Sequence, residues 1–71
     1  MARESELVLR VDGMSCAHCR DAVTGEVGRL TGVHTVDVDL ETKLVTVRGD
    51  VVDHAAVVEA IDEAGYDAVP A

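Results

Sequence analysis

The chain has 71 residues, of which 48% are hydrophobic, and its formal net charge is −8. A chain this short supports one small core, so we expect a single domain over residues 1–71. The acidic balance excludes nucleic acid as a partner, because phosphate binding needs clustered lysine and arginine, and it equally excludes an anionic membrane surface. It leaves open a basic protein partner, or a role in solubility alone.

Targeting signals are also missing from the sequence. No apolar run approaches the roughly 20 residues that span a bilayer, and the polar residues 1–6 do not resemble a secretory signal. We therefore expect no membrane insertion and a cytoplasmic location. Two cysteines three positions apart in a reducing compartment indicate metal or redox chemistry rather than a structural disulfide.

The first part of the chain predicts a strand, a loop and a helix. Residues 7–11 alternate with the period of two that is typical of a half-buried strand, and Gly13 ends the run. From about Cys19 the apolar residues fall at helical intervals, and Thr31-Gly32 ends this helix. The cysteine segment therefore connects a strand to a helix.

The second part predicts two strands, a helix and a short strand. Alternating valines predict strands on either side of a turn at residues 41–42, and the second strand ends at residues 49–50. Asp53 is a good N-cap for a helix that Gly65 closes, and residues 66–69 form a final strand. The face of this helix that we expect to be buried carries four apolar residues: Val57, Val58, Ile61 and Ala64.

The order of elements is strand, helix, strand, strand, helix, strand. Each helix can return across one face of a four-stranded antiparallel sheet and leave the other face in water. The predicted fold is therefore the α+β ferredoxin-like βαββαβ sandwich, with two helices on one face of the sheet.

The two cysteines have the spacing of a metal-binding pair. Unpaired N–H groups at the start of the helix favour thiolate over thiol, and Arg20 adds to this while Asp21 opposes it. A structural zinc site normally needs four protein ligands, and an iron–sulfur cluster usually needs four cysteines. Two thiolates suit a soft ion of low coordination number, of which Cu(I) is the commonest biological case. Such an open site favours transfer, because a partner thiolate can enter it, and it could also form a copper-bridged homodimer.

These residues resemble a known family. Residues 13–19, GMSCAHC, resemble the G-M-x-C-x-x-C motif of the heavy-metal-associated domain, a family of small copper chaperones and amino-terminal domains of metal-transporting P-type ATPases. Residues 65–67 and His18 are similar to those of the bacterial cytoplasmic copper chaperones. The resemblance implies Cu(I) bound by Cys16 and Cys19. It also implies delivery to the metal-binding domain of a copper-transporting P-type ATPase and, as a second partner, a copper-sensing repressor.

Five neighbouring residues have expected roles. We expect Met14 to be an apolar plug beneath the loop rather than a ligand, and Gly13 to have a positive φ. Zinc- and cadmium-type relatives often carry an acidic residue where Ser15 stands, so the serine favours copper. His18 is expected to point outward and tune the thiolates, with direct ligation left open. Tyr66 is expected to shield the metal from water and oxidant, with a role as core filler as the alternative.

Other functions remain as alternatives. A CxxC segment between a strand and a helix is also the thioredoxin arrangement, so a thiol–disulfide redox protein is the main one. Against it, the chain is short, has no tryptophan, and has its one proline at position 70. An ATPase metal-binding domain and a mercury-binding protein are alternatives within the metal-binding class. No catalytic constellation is present, so we expect no enzyme. The chain between the third strand and the second helix is slightly shorter than in the family, which leaves the shape of that loop open.

Overall fold

The computed structural model describes residues 4–71, which form four strands and two helices in the predicted order. The elements are β1 (Glu4–Arg10), α1 (Ala17–Gly28), β2 (Val33–Asp39), β3 (Leu44–Asp50), α2 (His54–Glu63) and β4 (Val69–Pro70). Neither of the two helices in residues 4–71 is long and apolar enough to cross a membrane.

The four strands form one antiparallel sheet in the order β2–β3–β1–β4. β1 and β3 pair along their whole lengths, and their register places Leu9 opposite Val45. Side chains alternate between the two faces of a strand, so Leu9, Val45 and Val47 are fully buried on one face, whereas Arg48 on the other face is exposed. Both helices cover the apolar face, and the predicted ferredoxin-like fold is confirmed.

The core between the sheet and the helices is aliphatic. Tyr66, the one aromatic residue of the chain, packs against it from the side and is half-buried. Ten side chains form the buried cluster: Leu9, Val11, Met14, Val23, Val27, Val45, Val47, Val57, Ala60 and Ile61.

The second helix matches its prediction closely. The carboxylate of Asp53 caps it by accepting a hydrogen bond from the N–H of Ala55 at 3.1 Å. Two residues of the predicted buried face, Val57 and Ile61, are fully buried, and the other two are half-buried. Gly65 has a φ of +96° just after the helix, where glycine adopts the left-handed conformation at little cost.

The first helix begins and ends earlier than predicted. It starts at Ala17, with Cys16 as the N-cap, rather than at Cys19, and it ends at Gly28 rather than at Thr31. Its first turn is largely exposed and therefore carries no apolar spacing that would mark it in the sequence. Glycine inside a helix costs up to about 1 kcal/mol relative to alanine, so the glycines near its end favour early termination.

The end of β3 agrees with the prediction, because the strand ends at Asp50, within the predicted break at residues 49–50. Gly49 lies inside the strand, buried against Gly32, where an added Cβ would collide with the Gly32 carbonyl oxygen. Val51 follows with a φ of 53° in the short connection formed by residues 51–53. The final strand differs from the predicted residues 66–69, because only Val69–Pro70 pairs with β1.

Candidate metal centre

The connection between β1 and α1, residues 11–16, is called the cysteine loop below. Its inner side is anchored by Val11 and Met14, both fully buried. The N–H of Met14 donates to the carbonyl of Val11 at 3.2 Å and closes a turn. Burial of these two side chains leaves Ser15 and Cys16 facing solvent. Met14, whose thioether is fully buried in the core, thus precedes an exposed thiol by two residues.

The two cysteine sulfur atoms lie side by side. Cys16 is in the extended conformation as N-cap of α1, and its side chain makes no capping hydrogen bond. Its Sγ instead lies 3.2 Å from the Sγ of Cys19, in the first turn of the helix. Cys16 is exposed and Cys19 is half-buried. Both sulfurs are therefore within reach of one ion that arrives from solvent.

The surroundings of Cys19 favour its thiolate. Its pKa is lowered from 9.0 to about 7, and the largest cause is a hydrogen bond from the side chain of Tyr66. The next causes are the backbone N–H of Ser15 and the Cys16 side chain. The first turn of α1 contains no acidic residue to oppose them. Near pH 7 this thiol is therefore about half ionised, which is the form that binds soft metals.

Arg20 does not support the thiolates by direct contact. Its guanidinium pairs with the carboxylate of the adjacent Asp21 at 3.4 Å, and both side chains are exposed. Arg20, expected to favour the thiolates, and Asp21, expected to oppose them, thus largely neutralise each other in one ion pair.

Tyr66 reaches the cysteines from the far end of the chain. Its own pKa is raised above 10.0, mainly by the hydrogen bond to Cys19, so its hydroxyl stays protonated and able to donate. Its ring lies against Gly13, where an added Cβ would be 3.4 Å from the ring carbon Cδ1. The expectation of a positive φ at Gly13 is wrong, since the positive-φ glycines among the described residues are Gly32 and Gly65. The ring contact is what a side chain at position 13 would disturb.

The remaining candidates lie around the pair without joining it. His18 is exposed on the first turn of α1, and Ser15 is exposed before it. Among residues 4–71, no three His, Cys, Asp or Glu side chains come together as a group able to hold a metal ion. The site consists of two thiols, with a phenol and backbone N–H groups around them.

Lys43 contacts the cysteine loop and was not singled out in the sequence. It lies in the turn between β2 and β3, and its half-buried ammonium donates to the carbonyl of Met14. The two residues are 29 positions apart, so no local pattern links them. The only available signal is that Lys43 is the sole lysine in the chain.

Comparisons with known proteins place nearly the whole chain among metal-binding domains. Residues 8–67 match the heavy-metal-associated domain family. The copper chaperone CopZ of Staphylococcus aureus is 40% identical over 67 residues, which cover 92% of this chain and 98% of that protein.

Two solved structures are similar over nearly the whole chain. One is a CopZ metallochaperone, with a TM-score of 0.87 and 40% identity over 92% of this chain and 100% of the other. Another is a copper binding domain from HMA7, a P-type ATPase, with a TM-score of 0.86 and 28% identity over 93% of this chain and 92% of the other. With the motif, the fold and the matched region in agreement, the chain belongs to the heavy-metal-associated domain family.

Proposed function

We propose that this protein is a copper chaperone that binds Cu(I) through Cys16 and Cys19 and passes it on by thiolate exchange. The observation that carries the proposal is the pair of sulfur atoms 3.2 Å apart, one exposed and one half-buried. The similarity to chains named copper chaperone supports the choice of cargo. In this proposal residues 1–71 act as one domain in the cytoplasm, and the protein is a carrier rather than an enzyme.

The donor set favours Cu(I) over zinc. Two thiolates satisfy a soft ion of low coordination number, whereas a structural zinc site takes four ligands in a tetrahedron. Ser15 offers a hydroxyl where a carboxylate would supply a hard ligand, and the structure brings no carboxylate or imidazole of residues 4–71 into a group with the thiols. Met14 is fully buried in the core cluster, so in this proposal its thioether serves packing rather than ligation.

The unequal exposure of the two cysteines suggests an order for the transfer. An incoming thiolate meets Cys16 first, because Cys16 is exposed, and can displace it while Cys19 still holds the ion. The hydroxyl of Tyr66 and the N–H of Ser15 stabilise the charge on Cys19, so this sulfur is the last to release. His18 is exposed and lies between the two cysteines in the sequence, and in this proposal its imidazole tunes the exchange.

The proposed recipient is the metal-binding domain of a copper-transporting P-type ATPase. A copper binding domain of such an ATPase has the same fold, so two similar cysteine loops can face each other during exchange. A copper-sensing repressor is a second proposed recipient. A copper-bridged homodimer is the same contact made with a second copy of this chain.

Anaerobic competition titration of the reduced protein tests the cargo. We expect tight Cu(I) binding at one ion per chain against a competing chelator, with Zn(II) held much more weakly. Cys16→Ala and Cys19→Ala should each weaken Cu(I) binding more than about a hundredfold, since loss of a mere outer-shell partner costs 10- to 100-fold. Ser15→Ala is the control, because it leaves both thiols in place. Equal or better retention of Zn(II) would overturn the copper assignment.

Ser15 offers a direct test of metal preference. Ser15→Asp places a carboxylate, a ligand that zinc accepts, next to the exposed thiol. We expect this variant to bind Zn(II) more tightly than the native chain while its Cu(I) binding changes little. If its Zn(II) affinity does not change, the argument from a missing hard ligand is wrong.

A redox function is the second candidate, because two thiols 3.2 Å apart can also close a disulfide. The Cys19 pKa of about 7 resembles that of the reactive thiol in thioredoxin. A reduction potential near the −270 mV of thioredoxin, together with insulin reduction, would favour this candidate. We expect no insulin reduction, and we expect oxidation to the disulfide to abolish Cu(I) binding.

A further inference from the structure

Lys43 connects the turn between β2 and β3 to the cysteine loop at two points. Its backbone carbonyl accepts a hydrogen bond from the N–H of Val11 at 2.8 Å. Its ammonium donates to the carbonyl of Met14. The two contacts lie at the start of the loop and at the residue before Ser15, so one residue holds both ends of the turn that precedes the cysteines.

The second contact fixes the peptide group that leads into the cysteine pair. The carbonyl of Met14 and the N–H of Ser15 belong to the same planar peptide unit. Ser15 immediately precedes Cys16, whose Sγ lies 3.2 Å from that of Cys19. A cation on the oxygen of a peptide group fixes the plane of that peptide and polarises its N–H. The ammonium of Lys43 therefore acts on the peptide through which the chain enters Cys16.

The ammonium of Lys43 is not engaged by a carboxylate among the described side chains. The four arginines of residues 4–71 each pair with a carboxylate: Arg10 with Asp12, Arg20 with Asp21, Arg29 with Glu26, and Arg48 with Glu6. Lys43 is half-buried and donates to a backbone carbonyl instead. Asp39, at the start of the same turn, uses its carboxylate to accept from the backbone N–H of Glu41 at 2.9 Å. The turn thus delivers an ammonium to the cysteine loop without a competing carboxylate.

We propose that Lys43 is a positioning residue for metal binding, which orients the peptide between Met14 and Ser15 and so the entry of the chain into Cys16. The proposal rests on the proposed Cu(I) binding for its effect on affinity. The orientation of the peptide between Met14 and Ser15 can be measured on the metal-free chain. The effect of Lys43 on this peptide and its effect on Cu(I) affinity can therefore fail separately.

Lys43→Met tests the proposal, because methionine has a similar length but no charge and no donor. The φ of 64° at position 43 applies equally to lysine and methionine, so backbone strain does not distinguish the variants. Loss of an outer-shell partner of a metal ligand costs 10- to 100-fold in affinity. Lys43 acts one peptide further away, so we expect a loss of about three- to tenfold in Cu(I) affinity in the chelator competition.

Two further variants separate positioning from charge and from folding. Lys43→Arg keeps a donor and should restore most of the affinity. Arg48→Met removes one positive charge from the exposed sheet face, where Arg48 pairs with Glu6, and should bind Cu(I) as the native chain does. The amide proton shift of Ser15 in proton–nitrogen correlation spectra of the metal-free chain should move in Lys43→Met, and in neither of the other two variants.

The possible outcomes are distinct. An unchanged Ser15 amide in Lys43→Met overturns the proposal whether or not the chain binds copper. Equal weakening in Lys43→Met and Arg48→Met overturns it as well, because the effect would then be one of net charge. Weakening that Lys43→Arg fails to restore overturns it in favour of simple turn stability. A native chain that does not bind Cu(I) overturns the proposed function and leaves the amide measurement to decide the role of Lys43.

Discussion

Replacing Tyr66 by phenylalanine removes one hydroxyl group beside the cysteines and keeps the ring. The ring contact with Gly13 is preserved in this variant, so the shape of the cysteine loop should not change. What is lost is the hydrogen bond that contributes most to the low pKa of Cys19. Tyr66→Phe therefore separates the donor from the aromatic shield.

The magnitude follows from the causes that act on Cys19. Its pKa is about 7 instead of 9.0, and Tyr66 is the largest of the four groups that lower it. The four lowering contributions together exceed the net shift, so the largest of them is at least about a quarter of it, or roughly half a pKa unit. Without the hydroxyl the pKa should therefore rise by at least about 0.5, and the thiolate fraction of Cys19 at pH 7 should fall from about one half to about one quarter or less.

Alkylation of the reduced, metal-free protein measures this directly. Iodoacetamide reacts with the thiolate, so the rate at Cys19, resolved by mass spectrometry of the labelled peptide, follows its ionisation. The native rate should rise with a midpoint near pH 7, and that of Tyr66→Phe with a midpoint at least about half a pH unit higher. Gly13→Ala, which keeps the hydroxyl, serves as a control for disturbance of the ring. Identical pH profiles for native chain and Tyr66→Phe would refute the hydrogen bond as the cause.

Three further predictions concern stability. Val51 has a φ of 53° and is 73% exposed, so Val51→Asn relieves left-handed backbone strain at little cost in buried apolar area. This variant should be about 1 kcal/mol more stable than the native chain, seen as a thermal midpoint about 4–8 °C higher. An unchanged midpoint would contradict the strain. Gly49→Ala should cost more than about 2 kcal/mol of stability in a denaturant titration, because its Cβ would meet the backbone oxygen of Gly32 at 2.0 Å. Gly25→Ala, with nothing within 4 Å in the exposed part of α1, should gain up to about 1 kcal/mol in the same titration. Equal effects of the two variants would show that the close approach of Gly49 to Gly32 does not matter. The pKa of Cys19 is about 7 in the folded chain and 9.0 in the unfolded chain, so the folded chain binds fewer protons between pH 7 and pH 9. Its stability relative to that of Cys19→Ser should therefore rise from pH 7 to pH 9, and this advantage should be lost as the pH falls through 7. A stability difference between the two chains that does not depend on pH would refute the pKa shift.

Local patterns were sufficient for most of the fold. The alternation in β1 and β3, the cap at Asp53 and the glycine after α2 each act within a few residues, and each is found in the structure. The start of α1 was misplaced because its exposed first turn carries no apolar stripe, and the helix is recognisable there only by its N-cap, Cys16. A cysteine is not a usual N-cap residue, so the propensity rules do not mark it.

Long-range contacts account for what the sequence did not predict. Gly13 was expected to serve backbone conformation, but its role depends on Tyr66, which is far away in the chain. Gly49 lies at the predicted end of β3, but its close approach to the backbone of Gly32 has no local signal in the sequence. The contact of Lys43 with the cysteine loop joins two turns and has no local sequence signature. The cysteines themselves are the exception, because a spacing of three residues brings their sulfurs together within one turn.

The pairing of every described arginine with a carboxylate has a consequence for assembly. The four ion pairs use up these arginines, so the excess negative charge of the chain, −8 in formal net charge, is carried by other carboxylates. Two copies of the chain therefore repel each other as they approach. Salt screens this repulsion over a Debye length of about 8 Å at physiological ionic strength. Self-association should therefore strengthen as salt is added, whereas docking on a basic partner should weaken. Such a carrier stays dispersed among its own copies and remains available to a surface of opposite charge.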